Sequence, residues 1–209
     1  MKNKKTYYLL ILDRSGSMSD CVNETISGFN EQMQMIKDLQ RRYPEQEFYL
    51  SLTTFNHLID HSFRECLINE VKELTPNSYI PDGGTALLDA IGESVINLKA
   101  SKNEEFEGDE ATAVVVILTD GHENASKIFK LDAIRNMIRE LEASNCWTFS
   151  FLGSTADAID VAVSMNIRRQ NSAQFSKDEI HHSIKSLASS LDIYANKKKR
   201  GTKPKDFLM

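Results

Sequence analysis

Cysteine is scarce in this 209-residue chain. Cys21, Cys66 and Cys146 are an odd number, far apart, with no Cys-x-x-Cys pair. That excludes a disulfide scaffold, and three separate thiols suit a reducing compartment. Only 4 Pro and 9 Gly are present, too few for a collagenous or low-complexity chain. No apolar run approaches the ~18 residues of a membrane-crossing helix. The segment Tyr7–Leu12 behind a lysine-rich start fails as a secretion signal: it stops at Asp13 and has no small-residue cleavage site. A cytoplasmic, soluble protein is expected.

What the chain does have is 41% hydrophobic and 26% charged residues, enough to build a core and to exclude wholesale disorder. The length fits one domain, able to bury about 70% of its unfolded surface. The net charge of −5 is uneven, because residues 195–209 carry six Lys or Arg against Asp206, leaving −10 on the rest. An acidic body is a poor partner for nucleic acid, whose binding relies on neutralised phosphates. The expected division is a folded body over 1–194 and a basic, frayed tail over 195–209.

Two periods alternate along the body. Tyr7–Leu12 is a continuous apolar run, as in a strand buried on both faces. Ile26, Phe29, Met33, Ile36 and Leu39 then fall on one helical stripe. Phe48, Leu50 and Leu52 alternate with polar neighbours, and the break at Phe55-Asn56-His57 predicts a hairpin to an edge strand near Leu58–Ser62. After a loop with Pro76, Pro81 and Gly83-Gly84 come a helical stripe from Leu88 to Leu98 and a charged connection, Lys99–Glu110. Ala113–Leu118 is the most strand-like run. It is followed by a helix (Leu131, Ile134, Ile138, Leu141), a strand (Trp147–Leu152), a helix (Ala156–Met165) and a short strand beginning near Ile167. Ser176-Lys-Asp-Glu179 reads as a capping box opening a last helix with Ile180, Ile184, Leu187 and Leu191 inward. Strands alternating with helices imply a parallel sheet covered on both faces.

In such a sheet ligands bind beyond the carboxyl ends of the strands, where the strand order reverses. Three strand-end loops stand out. Asp13-Arg14-Ser15-Gly16-Ser17 leaves the first strand with side chains at i, i+2 and i+4 directed alike, so Asp13, Ser15 and Ser17 can converge three oxygens. Thr119-Asp120-Gly121 places a second carboxylate after the valine-rich strand, and Pro81-Asp-Gly-Gly-Thr85 enters a helix with a hydroxyl near its start. Two carboxylates and three hydroxyls suit a hard cation, Mg2+ above all or Mn2+. Zinc would want nitrogen or sulfur.

Asp13-x-Ser15-x-Ser17, Thr85 after Gly-Gly and Asp120 in Thr-Asp-Gly resemble the von Willebrand factor type A domain with its metal-ion-dependent adhesion site. The resemblance covers roughly residues 6–192. It implies a Rossmann-like, doubly wound α/β fold: a mainly parallel six-stranded sheet with one antiparallel edge strand and helices on both faces. It also implies that the hydroxyls of Ser15, Ser17 and Thr85 hold the metal, while Asp13 and Asp120 act through waters or as close acceptors. An acidic side chain of a protein partner then completes the coordination. The relatives this chain looks most like are intracellular bacterial ones, which act beside AAA+ ATPases or in stress-response clusters, and a monomer is expected.

Bland expectations stand beside these. Asp82 reads as a turn residue and Asp89 as a brace for the loop. His122, Glu123 and Asn124 read as a solvated rim, Cys21 as an exposed thiol, and His181-His182 as solvated. Enzyme motifs are wanting: no second Asp two residues after Asp13, as a Mg2+-dependent phosphatase of the haloacid dehalogenase kind would need, no nucleophile elbow, no phosphate-binding loop and no His-Glu-x-x-His. The expected function is therefore metal-dependent protein binding without catalysis. A Mg2+-dependent phosphoesterase and a structural subunit with a vestigial metal site are the alternatives.

Overall fold

The computed structural model of the chain describes residues 5–208, so the extreme lysine-rich start and Met209 lie outside the described residues. Six strands form one sheet: β1 (Lys5–Asp13), β2 (Glu47–Phe55), β3 (Ile59–Leu67), β4 (Ala111–Thr119), β5 (Trp147–Gly153) and β6 (Ser172–Gln174). Their spatial order is β3-β2-β1-β4-β5-β6. All neighbours are parallel except β3, which runs antiparallel to β2 at the edge. Five helices cover the faces: α1 (Val22–Arg42), α2 (Leu87–Glu107), α3 (Leu131–Ala143), α4 (Ala158–Ser164) and α5 (Ile180–Lys199). This is the doubly wound α/β architecture expected.

The alternation within β1 and β4 builds two cores. Tyr8, Leu10, Leu12, Val114, Val116 and Leu118 pack with α1 and α5 on one side. Tyr7, Leu9, Ile11, Ala113, Val115 and Ile117 pack with α2 and α3 on the other. Because both faces are covered, these strands are apolar throughout rather than alternating with polar residues. Three helix-to-strand turns hold a residue in the left-handed region: Asp109 before β4, Asn145 before β5 and Asn166 after α4. Asp and Asn tolerate that conformation better than other side-chain-bearing residues, which is how a chain with few glycines makes these turns.

Four expectations are corrected. Lys99–Glu110 is largely not a connection, since α2 runs on to Glu107 across a local irregularity at Lys102 (φ −126°, ψ 19°). The charges that suggested a loop are the helix's solvent side, while Leu98 and Phe106 are buried. The last strand is Ser172–Gln174 rather than one beginning near Ile167, whose apolar side chain is instead buried in the connection from α4. Ser176 makes no capping hydrogen bond, and a short 3-10 turn, Lys177–Glu179, precedes α5.

The carboxyl-terminal segment differs most. The expected boundary at 194/195 falls inside α5, where Tyr194, Ala195 and Lys198 are all buried. Phe207 is 2% exposed and packs between Tyr8 and Tyr194, with ring centroids 6.2 Å from each. Asn171 fastens the segment, donating to the Lys205 carbonyl and accepting the Phe207 N–H. Composition alone missed an aromatic anchor set among basic residues. At the amino ends of the strands, Lys198 Nζ donates to the Lys5 carbonyl and to the hydroxyls of Thr6 and Thr112, at 2.8–2.9 Å.

Candidate functional site

β1 lies where the winding reverses, with β2 on one side and β4 on the other. The crevice beyond its carboxyl end is where such sheets bind ligands, and Asp13 and Asp120 flank it. Asp13 closes β1 and is fully buried. Its Oδ1 accepts the Ser15 N–H at 2.7 Å, and its Oδ2 accepts the Thr119 hydroxyl at 2.5 Å. The hydroxyl of buried Tyr79 donates to its carbonyl at 2.6 Å. Burial pushes the Asp13 carboxyl up to about 6, against those hydrogen bonds, and the neighbouring charge of Asp120 adds to the rise.

Beyond Asp13 the backbone stays extended at Ser15 and then enters the 3-10 turn Gly16–Cys21. Ser15 Oγ and Ser17 Oγ lie 3.2 Å apart, and the Ser17 hydroxyl donates to Asp120 Oδ1 at 2.6 Å. Thr85 arrives from the loop before α2. A Cβ built on Gly121 would sit 3.3 Å from Thr85 Oγ1 and 3.7 Å from Ser17 Oγ, so a side chain there would press on the Thr85 hydroxyl and touch that of Ser17. Asp13, Ser15, Ser17, Thr85 and Asp120 are thus gathered at one end of the sheet, as the strand-end reading expected.

The loops are stitched to one another. Gly16 N–H donates to the Gly83 carbonyl and Asp82 N–H to the Arg14 carbonyl, each at 3.0 Å. Gly83 has φ +68°, and a side chain there would collide with the His57 ring. Asp82 thus serves the turn through its backbone. The start of α2 has no cap of its own: Ala86 makes no side-chain bond. Glu123 and Ser126, from the loop after β4, accept the N–H groups of Leu88 and Asp89 instead.

Asp89 reciprocates, its carboxylate accepting the N–H groups of Lys127, Ile128 and Phe129. Asp89 is a brace as expected, but of the loop after β4 rather than of the loop that carries Thr85. Glu123 and Asn124 are more than a solvated rim: Glu123 also accepts the N–H groups of Ala125 and Ser126, and Asn124 Oδ1 accepts the Thr85 N–H at 2.8 Å. Their distance from Thr85 in the chain hid this role.

Cys21 is a further correction. It is buried, its thiol donating to the Met18 carbonyl, and burial pushes its pKa up. His181 is half-buried and hydrogen-bonded to Glu31 at 3.0 Å. The residue missed altogether is Lys177. Its Nζ lies 2.6 Å from Asp120 Oδ2 and donates to the Ser17 carbonyl at 2.5 Å. Burial lowers its pKa, but the hydrogen bond and charge of Asp120 outweigh that, and the net shift is upward. Beside it a cleft of about 560 Å³ is lined by Ser154, Gln174, Phe175, Ser176 and Lys177.

The donors present are two carboxylates and three hydroxyls, all oxygen, and an ammonium already seats itself on one carboxylate. This set fits a hard cation. Among the described residues no three His, Cys, Asp or Glu side chains are grouped to hold a metal. No helix of the described residues is long and apolar enough to cross a membrane.

The family model of the von Willebrand factor type A domain matches residues 9–178. Among solved structures, the vWF domain of the type V pili tip protein Mfa5 from Porphyromonas gingivalis has a TM-score of 0.65 at 9% identity, over 92% of this chain and 97% of that one. Manganese-loaded TRAP protein of Plasmodium vivax gives 0.56 at 15% identity, over 88% and 73%. Proximal thread matrix protein 1 of the mussel byssus, with a zinc-occupied MIDAS motif, gives 0.56 at 15%, over 90% and 46%. The chain therefore spans about half the length of the mussel protein. No curated protein sequence matches it.

Proposed function

The chain belongs to the von Willebrand factor type A domain family, a family of protein-interaction modules, and on that premise we propose that it is a metal-dependent one. Ser15, Ser17 and Thr85 would hold Mg2+ or Mn2+ through their hydroxyls, with Asp13 and Asp120 as water-bridged or close acceptors. The bound ion would supply an electrophilic centre for an acidic side chain of a protein partner. The observation that carries this reading is the gathering of Asp13, Ser15, Ser17, Thr85 and Asp120 at the reversal point of the sheet, where the Ser17 hydroxyl lies between Ser15 Oγ and the Asp120 carboxylate. The manganese and zinc carried by two structural relatives lend it support.

The chain's own residues do the remaining work. The Asp89 and Glu123 carboxylates hold the loop after β4 by its backbone, and Asn124 of that loop accepts the Thr85 N–H, so Thr85 is positioned before any ligand arrives. Around the site Leu58, Ile80 and Ile128 are 60%, 57% and 68% exposed, on the loops after β2, before α2 and after β4. Exposed apolar side chains on loops at the same end of the sheet suit a protein contact face. We place the protein in the bacterial cytoplasm, where three unpaired thiols are at home, with an AAA+ ATPase as one kind of partner.

Thermal melting tests the metal seat directly. With a dissociation constant near millimolar and tenfold excess ion, linkage gives about 1.4 kcal/mol. For a domain of this size that is a rise of roughly 3–6 °C over EDTA. Ser17→Ala and Thr85→Ala should lose the rise, and Mg2+, Mn2+, Ca2+ and Zn2+ compared side by side rank the ions. A wild type indifferent to all four would overturn the proposal.

A further inference from the structure

Lys177 stands just ahead of α5, far from Asp120 in the chain, yet its ammonium bridges the loop after β1 and the loop after β4. The Asp120 side chain is 0% exposed and that of Lys177 only 32%. Both oxygens of Asp120 are engaged, Oδ1 by the Ser17 hydroxyl and Oδ2 by the ammonium, and Nζ is held a second time by the Ser17 carbonyl. Charges so placed interact strongly because little water screens them. A divalent ion drawing on Asp120, directly or through a water, must therefore share that carboxylate with a resident cation or displace it.

We propose that Lys177 competes with the divalent ion for Asp120 and sets the metal affinity of the site. The competition presupposes the metal seat proposed above. The competition sets the metal against a cation that offsets the charge of one of the two buried acidic groups at the site, Asp13 and Asp120. It also gives the displaced ammonium somewhere to go, since Lys177 lines the open cleft with the polar side chains of Ser154, Gln174 and Ser176.

The test is a Mn2+ titration of the full chain, followed by loss of the free-ion paramagnetic resonance signal, with Mg2+ as the displacing ion. Lys177→Met should bind Mn2+ about tenfold more tightly than wild type, within the usual span of coupling between two ligands. It should also melt lower in EDTA, because Asp120 is left without its cation. Lys177→Arg, which keeps the charge, should stay near wild type. Lys127→Met, which removes a charge from the neighbouring loop, should leave the affinity unchanged, and Lys177→Gln serves should the Met variant misfold. Equal or weaker binding in the variants lacking the charge, with measurable binding in wild type, would overturn the competition and leave the metal seat standing. No Mn2+ binding by any variant would remove the seat and the competition with it.

Discussion

Lys198 is buried without a carboxylate against it. Its three hydrogen bonds go to a carbonyl and two hydroxyls, and burial lowers its pKa from 10.5 to about 7, against small opposing contributions from Cys146 and Asp109. Asp109 is itself paired with Lys203. Between those two values the unfolded chain holds the proton and the folded chain has released it. Stability therefore rises with pH from about 7 toward 10, by an amount on the order of 3–5 kcal/mol if the whole shift is realised. Above pH 10 the trend reverses, because buried Tyr8 keeps its proton in the folded state after the unfolded chain has lost it. Urea denaturation across this range should show the rising limb in wild type and lose it in Lys198→Met. A limb that persists in the variant would mean another group is responsible.

Gly28 of α1 faces α5 with almost no clearance. A Cβ there would lie 3.0 Å from the Cα and the carbonyl oxygen of His181 and 3.2 Å from Ile184 Cβ. Helix preference alone says that Ala should stabilise α1 by about 1 kcal/mol. The contact says the opposite, since α5 backbone cannot move aside without disturbing the core it covers, and overpacking of this kind costs about 1–3 kcal/mol. Gly28→Ala should therefore lower the urea midpoint, while a raised midpoint would show that α5 yields freely.

The two helices were legible in the sequence because Ile26, Phe29, Met33, Ile36 and then Ile180, Ile184, Leu187, Leu191 recur at helical spacing. Their near contact at Gly28 was not, because a glycine without a side chain leaves no mark in a hydrophobic pattern. Lys99–Glu107 was misread for a related reason: only Phe106 breaks its charged surface with a side chain the core takes in.

Deleting the residues after Gly201 should destabilise the protein by about 3–5 kcal/mol, the usual loss on emptying a buried aromatic site. The deletion removes Phe207 from Tyr8 and Tyr194, and it frees the Asn171 side chain and the Thr148 hydroxyl. An unchanged melting temperature would mean the segment only rests on the surface. The division of labour in the site explains what could be read in advance. Asp13, Ser15 and Ser17 stand close together in the chain, and Thr85 and Asp120 sit in short glycine-bearing loops at strand ends, so local chemistry marked them. Asp89, Glu123, Asn124 and Lys177 act across the fold, on backbone or charge that only the closed sheet brings near.

The loop after β4 has a consequence for how such a protein changes over time. It is fastened from beneath by Asp89 and Glu123 through backbone N–H groups, so the side chains it turns outward, Ile128 among them, hold none of its shape. Substitutions on that outer surface should leave the sheet and the hydrogen bonds beneath it alone. If the proposed protein binding holds, that outward face is an exchangeable label on a fixed frame, where new specificity can evolve without refolding.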